Sequence, residues 1–183
     1  MVFLKHAAAR RRRPRAATRA AVALVLCGGA WLAGHAGDEV YLAPESFVAD
    51  AFQSVPKPSV LWLTPTLQAE AAHILGHPPR QLRQRYWTDG TRSVWVLEEI
   101  GKEEPITAGF VVRGGRIEQA RVLVYRESRG FEVRYPSFLK QFGGAGLTTD
   151  RRLDRSIDGI SGATLSVGAM DRMARLALFY SAQ

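Results

Sequence analysis

The stretch DGISGAT, Asp158 to Thr164, gathers two hydroxyls, two glycines and a carboxylate just before an apolar-periodic run that reads as the last helix of the chain. A helix start carries unpaired N–H groups and a partial positive charge, so it holds a phosphate group by geometry as well as by its dipole. Gly162 and Ala163 leave the approach open, and Thr164 supplies a hydroxyl where a phosphate would rest. The same residues have a plainer use, with Ser161 or Asp158 as an ordinary N-cap accepting from the first amides. Spacing alone leaves both readings standing.

Other chemistry-bearing residues are less specific. His73 and His77 stand four apart, a metal-ligand spacing if one helix face carried both. Gly76 and Pro78 argue that the helix ends first, and no HExxH accompanies them, so a surface pair near a helix end is expected. Glu98, Glu99, Glu103 and Glu104 surround Gly101 and read as a solvated turn rather than a docking patch. Nothing places two of these carboxylates across a cleft for hydrolysis. No nucleophile elbow, GxGxxG or P-loop occurs, so hydrolytic and nucleotide-driven reactions have no support.

The elements that must position DGISGAT follow from the rest of the chain. At 183 residues and 46% hydrophobic, it is long enough for one domain with a real core. The net charge of +8 is concentrated at one end: Lys5, Arg10, Arg11, Arg12, Arg13, Arg15 and Arg19 stand in residues 1–36 without an acid. Removing those seven leaves 25 − 7 = 18 basic against 17 acidic residues, so the body is almost neutral and a nucleic-acid surface is not expected. The cations precede AAVALVLCGGAWLAG, Ala20 to Gly34, and small residues at Gly34 and Ala36. A basic segment, an apolar segment and a small-x-small site form the pattern of a secretory signal, with cleavage after Ala36. The run is only slightly shorter than a spanning helix, which leaves an uncleaved N-terminal anchor as the alternative. Residues 1–36 are therefore expected to be a signal peptide or anchor, and residues 37–183 a domain in the periplasm or another extracytoplasmic space. The single cysteine, Cys27, falls in the apolar run, which excludes an internal disulfide, CxxCH haem attachment and cysteine-ligated clusters.

Within the domain, LAPESFVADAF places Pro44 at a first helical position with Phe47, Val48, Ala51 and Phe52 at helical spacing. VPKPSVLW breaks that helix. A second follows, with Thr64 as N-cap, Pro65 at its start and Gly76 as its stop. From Arg83 the period changes to two: one hairpin turns at Asp89-Gly90 and another at Gly114-Gly115, with Val111, Ile117, Val122 and Val124 pointing inward. PSFLKQFGGAGL reads as a short helix ending at Gly143, and LDRSID as a loop or edge segment. The last helix, about Leu165 to Tyr180, carries Ala169, Met173, Leu176, Ala177 and Tyr180 on one face. The expectation is an α+β fold, an antiparallel hairpin meander of four strands packed with a few helices.

Asp158, Gly159, Ser161, Gly162, Ala163 and Thr164 resemble the D-x-x-[ST]-G-A-T signature of the FMN-binding domain family. That domain occurs as a part of the sodium-translocating NADH:quinone reductase, as a part of the Rnf electron-transport complex and in small secreted flavoproteins, and this chain resembles the last branch. FLKQFGGAGL is similar to the segment that precedes the motif in the family. VLVYRESRGFE is similar to its ETPGLG loop, with Glu127, Ser128 and Gly130 as acid, hydroxyl and first glycine, and with Arg129, Phe131 and Glu132 as departures. Ser166 stands where the family often has a second hydroxyl. The resemblance spans roughly Tyr86 to Ala177.

It implies FMN joined covalently to the Thr164 oxygen by a phosphoester, which a flavin transferase makes from FAD with magnesium, releasing AMP. It further implies that Asp158 and Ser161 are read by the transferase or shape the loop, that Gly162 and Ala163 admit its active site, and that Gly159, Ser166, Glu127 and Ser128 belong to the cofactor region. Tyr86, Trp87 and Trp95 could wall the flavin ring, although strand core is their expected use. With no acid/base pair in view, the implied function is an electron-transfer module whose partners are the transferase and an inner-membrane or periplasmic redox protein. The alternatives are a flavin-dependent reductase with its own small substrate, and a non-redox binding module whose SGAT is only a cap.

Overall fold

The computed structural model describes residues 38–183; the expected leader, residues 1–36 with Cys27, lies outside them. In chain order the elements are β1 (Glu39–Val40), α1 (Pro44–Ala51), β2 (Ser59–Trp62), α2 (Pro65–Leu75), β3 (Arg83–Thr88), β4 (Arg92–Ile100), β5 (Pro105–Arg113), β6 (Arg116–Tyr125), α3 (Pro136–Leu139) and α4 (Thr164–Ser181). Single 3-10 turns at Phe131–Arg134 and Lys140–Phe142 flank α3. Local chemistry accounts for the early helices. Thr64 Oγ1 accepts from the Leu67 amide at 3.4 Å, Pro65 opens α2, and Gly76, left-handed at φ 82°, ends it. Pro44 opens α1, whose Phe47, Val48 and Ala51 are buried; Phe52, expected on that face, instead ends the helix in an extended conformation.

The fold is α+β, and its sheet is a six-stranded antiparallel one in the order β1-β6-β5-β4-β3-β2. The four central strands are those of the two expected hairpins. At the first turn, Asp89 Oδ1 accepts from the amides of Thr91 and Arg92 at 2.9 and 3.0 Å, which fixes the Asp-Gly corner. The two edge strands correct the four-strand expectation. VPKPSVLW does end α1, but its second half returns as β2, pairing Ser59 with Tyr86 and Trp62 with Arg83. Four residues behind Pro58 are too few to display an alternation, and β1, with two residues, displays none.

Over the central strands β4 to β6 both faces of the sheet are buried, and the register explains how. Thr107 pairs with Val124 but Ala108 with Val122; Val111 pairs with Gln119 but Val112 with Ile117. Each slip leaves one extra residue on β6, Leu123 and then Glu118, and each turns the following side chains to the other face. All four expected inward positions are buried, yet Ile117 and Val122 join the main core while Val111 and Val124 join a second one. The main core lies under α2 and α4, where Ala169, Met173, Leu176, Ala177 and Tyr180 are all buried, as the last-helix pattern predicts. Trp95 lies in that core, stacked on Tyr86 at 4.6 Å and tilted against Tyr180. The second core seats Phe47, Val48 and Ala51 of α1 on Val94, Val111 and Leu123. No helix among the described residues is long and apolar enough to cross a membrane.

Gly109 makes that second contact possible. A Cβ built on it would lie 2.4 Å from Cε1 of Phe47, so the α1 ring occupies the space of the missing side chain. Gly109→Ala is expected to lower stability by about 1–3 kcal/mol, the usual cost of overpacking. Urea unfolding measures it, and Phe47→Leu added to Gly109→Ala should recover part of the loss; strict additivity would show the two residues to be uncoupled.

Candidate functional site

α4 begins at Thr164 with Ala163 in the N-cap position, and no side chain caps it. Neither Ser161 nor Asp158 therefore plays the ordinary capping role. The Asp158 N–H donates to Gln141 Oε1 at 2.7 Å, tying the start of the motif to the turn after α3. The Ala163 N–H donates to the Ile160 carbonyl at 2.9 Å, which closes the loop onto the helix. Gly159 and Gly162 would meet nothing within 4 Å if each carried a Cβ, and Gly162 is left-handed at φ 79°. Both glycines thus face open space. Asp158, Ser161 and Thr164 are exposed, Ala163 is buried, and Ser166 is only 4% exposed.

Ser166 anchors a second loop to this one. The Tyr125 hydroxyl donates to the Arg129 carbonyl at 2.5 Å and lies 3.0 Å from Ser166 Oγ. A phenol has one proton, already committed to Arg129, so Ser166 donates to Tyr125. Burial raises the Tyr125 phenol above its ordinary pKa, which keeps that donor protonated. Gly130, left-handed at φ 83°, sits over the joint: a Cβ there would lie 2.8 Å from Ser166 Oγ, 3.0 Å from the Tyr125 hydroxyl and 3.1 Å from Ala163 Cβ. The 127–130 loop and the DGISGAT loop are therefore neighbours.

Within that loop, Ser128 is exposed, but Glu127 turns to the β4–β5 connection. Its Oε1 accepts from the amides of Lys102, Glu103 (2.7 Å) and Glu104 (3.0 Å). Three successive N–H groups form an anion cradle, and the chain fills it with its own carboxylate.

The four glutamates do not form one solvated turn. Glu99 is 4% exposed and accepts from His77 Nε2 at 3.0 Å and Arg172 Nη2 at 3.1 Å, while Glu98 stands on the opposite sheet face near Thr107 and Arg126. His77 lies beyond the end of α2 and also contacts the Pro78 carbonyl, whereas His73 is exposed on the helix. Among the described residues no group of three His, Cys, Asp or Glu side chains could hold a metal.

The Glu99 hydrogen bond, followed by the Pro78 carbonyl, raises the His77 pKa above 6.5. A raised folded-state pKa contributes stability that is complete below pH 6.5 and lost as pH rises through the folded value. Stability is thus expected to decline slightly above that pH, by less than about 1 kcal/mol because the imidazole is itself exposed to solvent, and His77→Ala should flatten the decline. Urea midpoints across pH 6 to 8, taken for both proteins, test this.

Beside the motif, a shallow open cleft of about 240 Å³ runs between Tyr135, Phe138 and Gln141 on one side and Asp158 to Ile160 on the other. Tyr135 in its lining and Phe131 next to that ring are exposed, edge to face at 6.1 Å, and the Arg134 guanidinium lies 5.5 and 5.6 Å from their ring centroids. Sequence reading passed over this pair, whose signal was an aromatic at each end of a single turn directly after Gly130. Tyr86 and Trp95 belong to the other end of the molecule, by Tyr180, sixteen residues or roughly 24 Å along α4 from Thr164. Trp87 is half-buried against the second core. None of the three lies beside the motif.

The sequence of residues 101–178 matches the family described as FMN-binding domain. The match supports assignment of this part of the chain to that family. No curated protein and no solved structure matches the chain. The FMN-binding domain so matched takes in β5, β6, both loops of the site and nearly all of α4, while α1, α2, β2 and β3 lie before it. The match supports a flavin-binding domain, with FMN as its ligand, over these residues.

Proposed function

We propose that the protein is an exported flavoprotein that carries FMN covalently on Thr164 and serves as an electron-transfer module. The observation that carries this reading is the uncapped start of α4, with the Thr164 hydroxyl exposed at its first position. The phosphate end of FMN suits it: the first amides of the helix are unclaimed by any side-chain cap, and open space lies over Gly159 and Gly162. Of the nearby hydroxyls, Ser166 is buried and committed to Tyr125, and Ser161 precedes the helix, so Thr164 alone joins exposure to the helix dipole.

Attachment by a flavin transferase would exchange one phosphoryl bond for another. The Thr164 oxygen would bond to the FMN phosphorus of FAD as the pyrophosphate bond breaks, its proton passing to solvent and AMP leaving, with magnesium required by the transferase. FMN then supplies one- and two-electron redox chemistry, and the chain supplies position. Asp158 and Ser161 present the loop, Gly162 and Ala163 leave access to it, and Phe131 and Tyr135 offer an apolar wall near its foot. A tether retains the cofactor outside the cytoplasm, where free flavin would diffuse away. Export rests on the sequence of residues 1–36, and the electron partner would be an inner-membrane or periplasmic redox protein.

The test is the intact mass and visible spectrum of the denatured protein after coexpression with a flavin transferase. A gain of one FMN less one water that survives denaturation supports the reading. An unmodified mass with colour lost on denaturation would replace the tether with loosely held flavin.

A further inference from the structure

The free edge of the sheet carries a second surface, independent of the flavin site. Pairing of Val60 with Arg85 and of Trp62 with Arg83 puts these four side chains on one face of the β2–β3 ribbon. Leu61 and Tyr86 turn to the other face and pack on the main core. α1 covers the outer face over β4 and β5, and its cover stops short of β2: Val60 and Trp62 are 47% and 65% exposed, and Leu82 beside them is 59% exposed. A single exposed apolar side chain needs no explanation, but three together beside an open cleft do. Arg80, Arg83 and Arg85 are exposed around them, and none makes an ion pair among the described residues.

The charge selects the occupant. Two copies joined through β2 would bring their arginines onto one face of a continuous sheet, so like charges oppose self-association. Three apolar side chains also fall far short of the roughly 800 Å² that each partner buries in a stable protein interface. A tryptophan and aliphatic side chains flanked by unpaired arginines instead match the headgroup layer of a bilayer, where the ring sits among the headgroups and guanidinium groups meet lipid phosphates. We propose that the β2 edge docks on an anionic phospholipid surface, with Trp62 and Leu82 entering the headgroup region and Arg80, Arg83 and Arg85 pairing with phosphates. Docked in this way, the protein holds Thr164 at the opposite end of α4, free to meet a partner.

The test uses the full chain with vesicles of phosphatidylglycerol or of phosphatidylcholine, some containing brominated lipid. The readout is the fluorescence of Trp62, taken as the difference between the protein and its Trp62→Phe variant, so that binding through any other segment does not register. The expected result is a blue shift and quenching by brominated lipid with phosphatidylglycerol only. Arg83→Glu with Arg85→Glu, shown to be folded by circular dichroism, should weaken that quenching at least about tenfold. Absence of quenching in both lipids, equal quenching in both, or quenching unaffected by charge reversal would each overturn the proposal. A Trp62 shift with polyglutamate but not with vesicles would assign the surface to an acidic protein, and a concentration-dependent shift without lipid to a second copy; either result would also overturn it.

Discussion

Thr164→Ala is expected to abolish covalent flavin completely while leaving the fold unchanged. The two halves of that result have separate causes. The Thr164 side chain is exposed and caps nothing, so its loss leaves no buried group without a partner. Alanine is also the better helix former, by a few tenths of a kcal/mol, so the melting temperature should hold or rise slightly. The attachment, by contrast, needs an oxygen at this position, and the substitution removes it. Thr164→Ser restores the oxygen and should restore modification. Ser166→Ala should keep some modification, since that hydroxyl is buried, although loss of its bond to Tyr125 loosens the neighbouring loop. Intact mass in denaturant for the four proteins reads all of this. A modified Thr164→Ala chain would move the acceptor to another hydroxyl, Ser161 first, and would remove the argument from the helix start.

How legible the molecule is in its sequence differs from element to element. α2 carries a cap, a first-position proline and a stopping glycine within thirteen residues, and those short-range signals suffice. The two hairpins are equally local, with turn residues between alternating runs. β2 is not local: four residues after a proline become a strand only because β3, some twenty residues later, offers an edge. The face assignment of β6 was hidden for a different reason. A bulge is one residue of slack in a ladder, and only the partner strand reveals it, so Val122 and Val124 share a parity yet face opposite cores.

The site divides in the same way. DGISGAT is contiguous and shows itself, as does its placement at a helix start. Its lack of a cap is not legible, because Asp158 and Ser161 are both good capping residues and only the path of the loop keeps them from the first amides. Glu127 has the right type and neighbourhood to touch a cofactor, but its carboxylate goes to three amides of a turn more than twenty residues upstream. Glu99 lies next to Glu98 in sequence and on the other side of the sheet in space, which is all that separates a buried acceptor of His77 and Arg172 from an exposed acid.

Three glycines around the motif give the second large effect, because each differs from the next in one physical respect. Gly159→Ala adds a methyl in open space on a backbone outside the left-handed region, so stability should change little. Gly162→Ala also points into open space, but at φ 79° it forces alanine into the left-handed region at about 1–2 kcal/mol. Gly130→Ala carries that strain at φ 83° and in addition drives its methyl to 2.8 Å from Ser166 Oγ and 3.0 Å from the Tyr125 hydroxyl. Either the loop shifts or the Ser166–Tyr125–Arg129 chain breaks, and a buried hydroxyl left unpaired costs about 1–3 kcal/mol more. The total for Gly130 is therefore about 2–5 kcal/mol, a fall of roughly 5–15 °C in melting temperature for a domain of this size. Calorimetry on the three variants should rank them 130, 162, 159 in decreasing loss; equal losses at 130 and 162 would mean that the contact with Ser166 and Tyr125 contributes nothing. Covalent flavin, measured on the same samples, then separates shape from recognition. Gly130→Ala should reduce attachment together with stability, because it disturbs the joint beneath Thr164. Should Gly159→Ala reduce attachment at full stability, the transferase reads the surface of the loop itself, since nothing inside the protein touches that position.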